Sequence, residues 1–342
     1  MSEIAVAPQP STPAHGTPGS AGTTGAVNYL HASTESSLYR NGRVLTRRDA
    51  DGSDTGWVGY VRNKLALGIH DARAVPPQAG KTLEHNGFEL LHRPGDIDGI
   101  DFLDHAAVVR HHYPRCAEIV REHTGARVFA FDHNVRSASG KRGGQRISGG
   151  QQVQGPALMA HGDYTLTSAP RRVRDLALAP KLNDTLRGVL LDEGQSLISP
   201  DDAARVLAPG GRFAIINVWR SIALEPVQAL PLALCDAQTV LAEDLVVFEI
   251  HYQDRIGENY FAKHSPRHQW FYYPQMTRDE ALLIKQWDSA GPLARSAGAK
   301  SDASEAHAPC TFSFHTAFVD AATPADAPDR WSIETRCLVL YD

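Results

Sequence analysis

Thr311-Phe312-Ser313-Phe314-His315-Thr316-Ala317-Phe318-Val319 sets large aromatic side chains against small or polar ones. Successive residues of a strand point to opposite faces, so Phe312, Phe314 and Phe318 share one side and Ser313, His315 and Ala317 the other. The first face is made to pack. The second, small and carrying one imidazole, suits the wall of a pocket, and a merely solvated face is the competing reading. Other strand-like runs surround the nonamer: Trp331 to Tyr341 downstream, and Gln269 to Tyr273, Leu245 to Tyr252, Arg212 to Trp219 and Arg127 to Phe131 upstream. Helices are expected over Phe102 to His123, after the Ser199 cap with Pro200 at the first helical position, and from the capping box Thr277-Arg278-Asp279-Glu280 through Trp287. Long irregular connections and few strand-helix alternations predict a mainly β fold with flanking helices, on antiparallel sheets rather than a doubly wound parallel one. A β-barrel or double-sheet jelly roll is the leading architecture.

Composition narrows the class. The 342 residues carry a net charge of -5, and no basic run is interleaved with aromatic residues as a nucleic-acid surface requires. The longest apolar stretches, Ala229 to Leu234 and Leu245 to Ile250, fall short of the ~20 residues of a membrane span, and the N-terminus lacks the basic and apolar regions of a signal peptide. Cys116, Cys235, Cys310 and Cys337 never form CxxC pairs, which argues against a disulfide framework or structural zinc and fits a reducing cytoplasm. Residues 1–25, almost all Ala, Pro, Gly, Ser and Thr, are read as a disordered tail, and residues 26–342 as one domain. The polar, Gly-rich Ser137 to Gly150 is read as a mobile loop able to close over a site.

The chemistry concentrates in Ala157-Leu158-Met159-Ala160-His161-Gly162-Asp163-Tyr164-Thr165. In an extended chain His161 and Asp163 share a face, so an imidazole and a carboxylate can converge on one ion. Completed by a distant histidine such as His315, they make the two-histidine, one-carboxylate set that leaves positions open on non-haem iron(II). In a chain with 16 histidines the pair alone is a weak signal. On the last strand, Arg330, Ser332, Glu334 and Arg336 share one face. A guanidinium with a hydroxyl two residues on is well shaped to grip a carboxylate, the alternative being an exposed, charged edge strand.

Read in order, Phe131-Asp132-His133, His161-Gly162-Asp163-Tyr164-Thr165, Asn217-Val218-Trp219-Arg220, Pro231-Leu232-Ala233-Leu234-Cys235-Asp236, Trp270-Phe271-Tyr272-Tyr273, His315-Thr316-Ala317-Phe318 and Ser332-Ile333-Glu334-Thr335-Arg336 resemble one family. It is the iron(II)- and 2-oxoglutarate-dependent oxygenases, within them the fungal and bacterial group with gibberellin-desaturase-like proteins, a cephalosporin 7α-methoxylase component and a meroterpenoid endoperoxide-forming enzyme. The resemblance runs from about residue 127 to the C-terminus. It implies a double-stranded β-helix (jelly-roll, cupin-like) core, Fe(II) on His161, Asp163 and His315, and 2-oxoglutarate and O2 as co-substrates. The substrate would be a small secondary metabolite, and the outcome hydroxylation, desaturation or oxidative cyclisation. Arg330, helped by Ser332, would hold the distal carboxylate of 2-oxoglutarate. About 150 residues separate Asp163 from His315 and 15 positions separate His315 from Arg330, both longer than is common in the wider superfamily. The spacing implies insertions and leaves Arg336 and Arg220 as competing clamps.

Two further readings stand beside this one. Val206-Leu207-Ala208-Pro209-Gly210-Gly211-Arg212-Phe213-Ala214-Ile215 resembles a loop of S-adenosylmethionine-dependent methyltransferases, but no GxGxG-like loop precedes it, and a plain helix-to-strand turn accounts for it. A jelly roll also serves as a non-catalytic ligand-binding module. His111-His112 is expected on a helix surface, His264 to His268 as a basic loop without a role, and Trp270 to Tyr273 in the core.

Overall fold

The computed structural model describes residues 22–48, 54–76, 80–181, 184–192, 194–253 and 255–342. Sixteen strands lie among them. In chain order they are β1 (Gly22–Leu30), β2 (Leu45–Arg48), β3 (Asp54–Val58), β4 (Arg62–Asp71), β5 (Phe88–His92), β6 (Arg127–Arg136), β7 (His161–Gly162) and β8 (Phe213–Ser221). The second half adds β9 (Leu232–Cys235), β10 (Leu245–His251), β11 (Ile256–Ala262), β12 (Trp270–Tyr272), β13 (Glu280–Asp288), β14 (His315–Ala317), β15 (Val319–Asp320) and β16 (Ser332–Leu340). They form two sheets, one in the order β15-β1-β4-β12-β9-β14-β7-β11-β10-β2-β3 and one in the order β5-β13-β8-β16-β6. Pairing is antiparallel except where β2 meets β10 and β12 meets β4. The mainly β expectation holds, and the antiparallel partners of β8 leave no place for a doubly wound methyltransferase sheet.

Register fixes which side chains face inward. On β16, Ser332, Glu334 and Arg336 stand beside Ser221, Trp219 and Asn217 of β8 on one side and Arg136, Asn134 and Asp132 of β6 on the other. These look toward the large sheet. The opposite face, with Thr335 and Arg220, lies under the helix Tyr113–Thr124, whose Cys116 Sγ is 3.2 Å from His112 Nε2. That helix continues from His105–Ala107 through a π-helical turn at Val108–His112, close to the predicted span. Ser199 caps Pro200–Leu207 by accepting the Asp202 N–H at 3.0 Å, as its sequence predicts. Downstream, Gly211 lies so close to that helix that a Cβ would stand 2.3 Å from the Arg205 carbonyl oxygen, which makes the Gly-rich segment a tight helix-to-strand turn.

Four expectations change. The helix from Thr277 through Trp287 is strand β13 instead. The capping contact does form, with the Thr277 N–H donating to Glu280 Oε2 at 2.9 Å. Beyond it Ala281 to Ile284 are buried with partners on both sides, so two-sided sheet pairing overrides the local signal, and Arg73 holds both Glu280 oxygens at 2.8 Å. Gly22 to Gly25, read as part of a disordered tail, form the start of β1 between β4 and β15, while residues 1–21 lie outside the described residues. The segment Ser137 to Gly150 contains a short helix, Ala138–Arg142, tied down by Ser137 and Ser139 hydroxyls that donate to Asp329. His112 is not on the helix surface but fully buried.

That burial has a consequence in acid. Burial, reinforced by Arg220, His133 and Arg115, pulls His112 down to about 3 from 6.5. The folded chain therefore holds it neutral where the unfolded chain protonates it, so its contribution is complete above pH ~6.5 and is lost progressively toward pH ~3. Urea midpoints of metal-free protein should fall between pH 7.5 and 5, and His112→Leu should flatten that slope. An unchanged slope would remove His112 from the acid response.

Candidate metal centre

His161 and His315 occupy facing positions on the neighbouring strands β7 and β14, and Asp163 follows one residue after β7. One potential ligand atom from each of these three residues lies within 4.8 Å of the other two. His161 Nε2 is 3.5 Å and His315 Nε2 3.9 Å from Asp163 Oδ1, and the imidazole centroids are 4.3 Å apart. The residue between His161 and Asp163 has to be glycine, because a Cβ on Gly162 would stand 2.9 Å from the Phe312 ring. Phe312 and Phe314 pack on that side, while Ser313, His315 and Ala317 are also buried, which excludes a solvated second face for the opening nonamer.

The surroundings set orientation and charge. His161 Nδ1 lies 2.7 Å from the Met159 carbonyl oxygen, which can only accept; Nδ1 therefore carries the proton and the Nε2 lone pair points to the centre. Burial, with the adjacent His315, pulls His161 down to about 4, and burial lowers His315 likewise, so both rings are neutral near pH 7. Burial raises the Asp163 carboxyl, but Arg336, His315, His161 and the Asn217 amide outweigh it and hold it below the usual carboxylate range. The Asn217 amide donates to Asp163 Oδ2 at 3.1 Å, and Arg336 Nε and Nη2 each donate to the same oxygen at 3.2 Å. The Asp163 N–H donates to Gln286 at 3.1 Å. Glu334 Oε2 is 3.9 Å from His315 Nε2, and burial beside Asp163 raises its carboxyl.

The four other candidate positions separate clearly. Arg336 is committed: besides Asp163 it donates to Asp132 at 3.0 Å, Asn134 at 2.8 Å and Glu334 at 3.2 Å. Arg220 is on the far face of β8, donating to the Arg93 carbonyl at 2.8 Å and contacting Asp96 at 3.4 Å. Arg330 is buried with its guanidinium 5.7 Å from the centre of the Trp219 ring; one Nη donates to the Leu230 carbonyl, and Nε has no hydrogen-bond partner among the described residues. The Ser332 and Ser221 hydroxyls, at paired positions of β16 and β8, also lack partners among the described residues. Burial, reinforced by Arg136 and only partly offset by Asp329 and Glu334, pulls Arg330 down to about 9.

Sequence reasoning missed Asn217 and Gln286 as supports of Asp163. Asn217 stands in one of the quoted phrases, but its role depends on register with Arg336 across two strands. The basic loop His264 to His268 is structural, with Arg267 and His268 both contacting Asp244, and Trp270 to Tyr273 are core. All four cysteines are buried free thiols, and no described helix is long and apolar enough to cross a membrane.

Comparison with known proteins gives concordant matches. A family model described as an oxidoreductase/YMDC permease-like domain matches residues 27–190 and 194–340. An uncharacterized protein in the dcmA 3′ region of Methylophilus leisingeri is 43% identical over 197 residues, which are 57% of this chain and 89% of that protein. The Fe(II)/2-oxoglutarate-dependent dioxygenase nvfI of Aspergillus novofumigatus is 29% identical over 90% of this chain and 92% of its own. A solved structure of the iron and alpha-ketoglutarate-dependent endoperoxidase NvfI, in a different conformation, superposes with a TM-score of 0.66 at 25% identity, over 93% of this chain and 98% of that one.

Proposed function

Because the chain belongs to the oxidoreductase/YMDC permease-like domain family, we propose that it is a non-haem Fe(II)- and 2-oxoglutarate-dependent dioxygenase acting on a small secondary metabolite. The observation that carries this reading is the convergence of His161, Asp163 and His315 from two strands and a turn onto one point between the sheets. Two neutral imidazoles and one ionised carboxylate are the donor set that non-haem iron(II) takes. The double-stranded β-helix is the fold we assign to the two facing sheets. Relatives named hydroxylase/desaturase support an outcome of hydroxylation, desaturation or oxidative cyclisation. The free buried thiols support a cytoplasmic setting.

2-Oxoglutarate fits as well. Arg330 Nε, Ser332 Oγ and Ser221 Oγ are buried and unpartnered, and such groups cost about 1–3 kcal/mol each until something pairs with them. A carboxylate would offer each of them an acceptor. We assign Arg330 with Ser332 to the distal carboxylate, withdraw Arg220, and assign Arg336 to holding Asp163 rather than the co-substrate. With iron and 2-oxoglutarate bound, the centre would supply oxidation of a substrate C–H bond by O2, coupled to oxidative decarboxylation of 2-oxoglutarate to succinate and CO2. The chain orients His161 through Met159, keeps Asp163 ionised through Arg336 and Asn217, and surrounds the centre with buried side chains that limit water.

Anaerobic calorimetry with Fe(II)-loaded protein tests this against the two alternatives. 2-Oxoglutarate should bind, S-adenosylmethionine should not, and admitting air should release succinate slowly even without substrate. Binding of S-adenosylmethionine alone would make the chain a methyltransferase. Binding of neither would make it a ligand-binding module.

A further inference from the structure

Register determines what flanks the triad on the large sheet. Leu234 of β9 is the partner of His315 on one side, and Phe261 of β11 is the partner of His161 on the other. The Leu234 side packs in one cluster with Trp219, the ring that Arg330 covers, so that side belongs to the co-substrate. The Phe261 side has a different character. Phe261 meets His161 edge-on at 6.5 Å, and Phe248 of β10, on the same sheet face, stacks on Phe261 at 4.2 Å with planes 9° apart. Trp57 of β3 stacks on Phe248 at 5.6 Å and 16°. Tyr60 lies 4.7 Å from Trp57 and 6.2 Å from Phe261, its hydroxyl 3.7 Å from the Met159 sulfur. A row of contacting rings thus runs from a triad imidazole to the exterior, where Trp57 is 47% exposed beside Val58 at 48%. Across from it, β6 directs Asn134 and Arg136 toward the large sheet.

Of these four rings Trp57 is exposed, Tyr60 half-buried and Phe248 and Phe261 buried, so the row leads from the surface inward to the metal centre, and aromatic side chains beside such a centre are typical linings of small-molecule sites. We propose that Phe261, Phe248, Tyr60 and Trp57 form the specificity-determining wall of the substrate site, and that the substrate carries an apolar, aromatic or unsaturated ring system laid against it. Aromatic rings receive such a body through offset-stacked and edge-to-face contacts. The assignment rests on the oxygenase reading of His161, Asp163 and His315. A docked protein segment would cover Trp57 from outside without approaching the metal.

The test separates the two. With 2-naphthalenemethanol as a neutral ring probe, the full-length protein is titrated by ligand-observed NMR with and without Mn(II). The probe should bind, and Mn(II) should broaden its ring protons strongly. Trp57→Ala, at an exposed position where folding is not at stake, and Phe248→Leu should each weaken probe binding about tenfold, ~1.4 kcal/mol, while Mn(II) affinity stays unchanged. No probe binding, binding without broadening when Mn(II) is taken up, or equal affinity in both variants overturns the wall. If Mn(II) is not taken up but both variants still lose probe affinity, the wall stands and the oxygenase reading falls.

Discussion

His161→Ala, Asp163→Ala and His315→Ala should each remove the metal: anaerobic reconstitution that loads about one Fe(II) per wild-type chain should leave these variants nearly empty, with no succinate formed. The expected loss is large because each variant deletes one of only three protein donors, whereas disturbing a partner of a ligand typically costs 10–100-fold in metal affinity. Asn217→Ala belongs to that smaller class, since it removes one of three donor atoms on Asp163 Oδ2. Inductively coupled plasma analysis of dialysed protein separates the two classes. Wild-type iron content in His315→Ala would remove that residue from the triad and overturn the reading of the Thr311 to Val319 segment. Folding should survive the His315 change, because Phe312, Phe314 and Phe318 hold that segment from its other face.

Much of this centre was legible because it rests on period two. Alternation put His161 with Asp163, isolated His315 on a small face, and grouped Ser332, Glu334 and Arg336, and the registers of β7, β14 and β16 preserve all three groupings. The misreadings have a common cause. Thr277 to Glu280 carries a genuine local capping contact, and only the strands on both sides of Leu282 to Ile284 decide against a helix. Gly22 to Gly25 have little side chain to bury, and they are ordered by backbone pairing to β4, whose partner lies some 40 residues away in sequence. Trp57 and Tyr60 were invisible as site residues for the same reason: β3 reaches the centre through β2 and β10, so its position depends on the end of an eleven-stranded sheet. Asn217 and Arg336 were in view, but whether a side chain supports Asp163 or binds a ligand is a matter of ångströms between sheets.

Arg330→Leu should raise the apparent KM for 2-oxoglutarate by tens- to thousands-fold while iron content stays near wild type. Arg330 precedes β16 by two residues and Arg336 lies within it, six positions on and ~20 Å away if the chain between them is extended at ~3.3 Å per residue, so one carboxylate cannot sit on both backbone positions. Their partners decide between them. Arg336 has its donors placed on Asp163, Asp132, Asn134 and Glu334, and taking a fifth partner would release the ligand it holds. Among the described residues no carboxylate hydrogen-bonds Arg330, and its guanidinium leans over Trp219, which stands beside Glu334 on the neighbouring strand and so brings the charge back toward the metal. A buried cation without a hydrogen-bonded anion is costly, and its affinity for one is correspondingly high. Losing a charge-assisted contact of this kind costs roughly 2–5 kcal/mol when the partner stays buried, which is the range of weakening expected here. Arg336→Leu should act differently, lowering Fe(II) affinity, because it leaves Asp163 with the Asn217 amide alone on Oδ2. Ser332→Ala should follow Arg330→Leu in kind but be smaller, as a neutral hydroxyl contributes less than a guanidinium. If Arg336→Leu raises the KM for 2-oxoglutarate with full iron content and Arg330→Leu does not, the two assignments are exchanged, and the unpartnered Arg330 Nε needs another ligand.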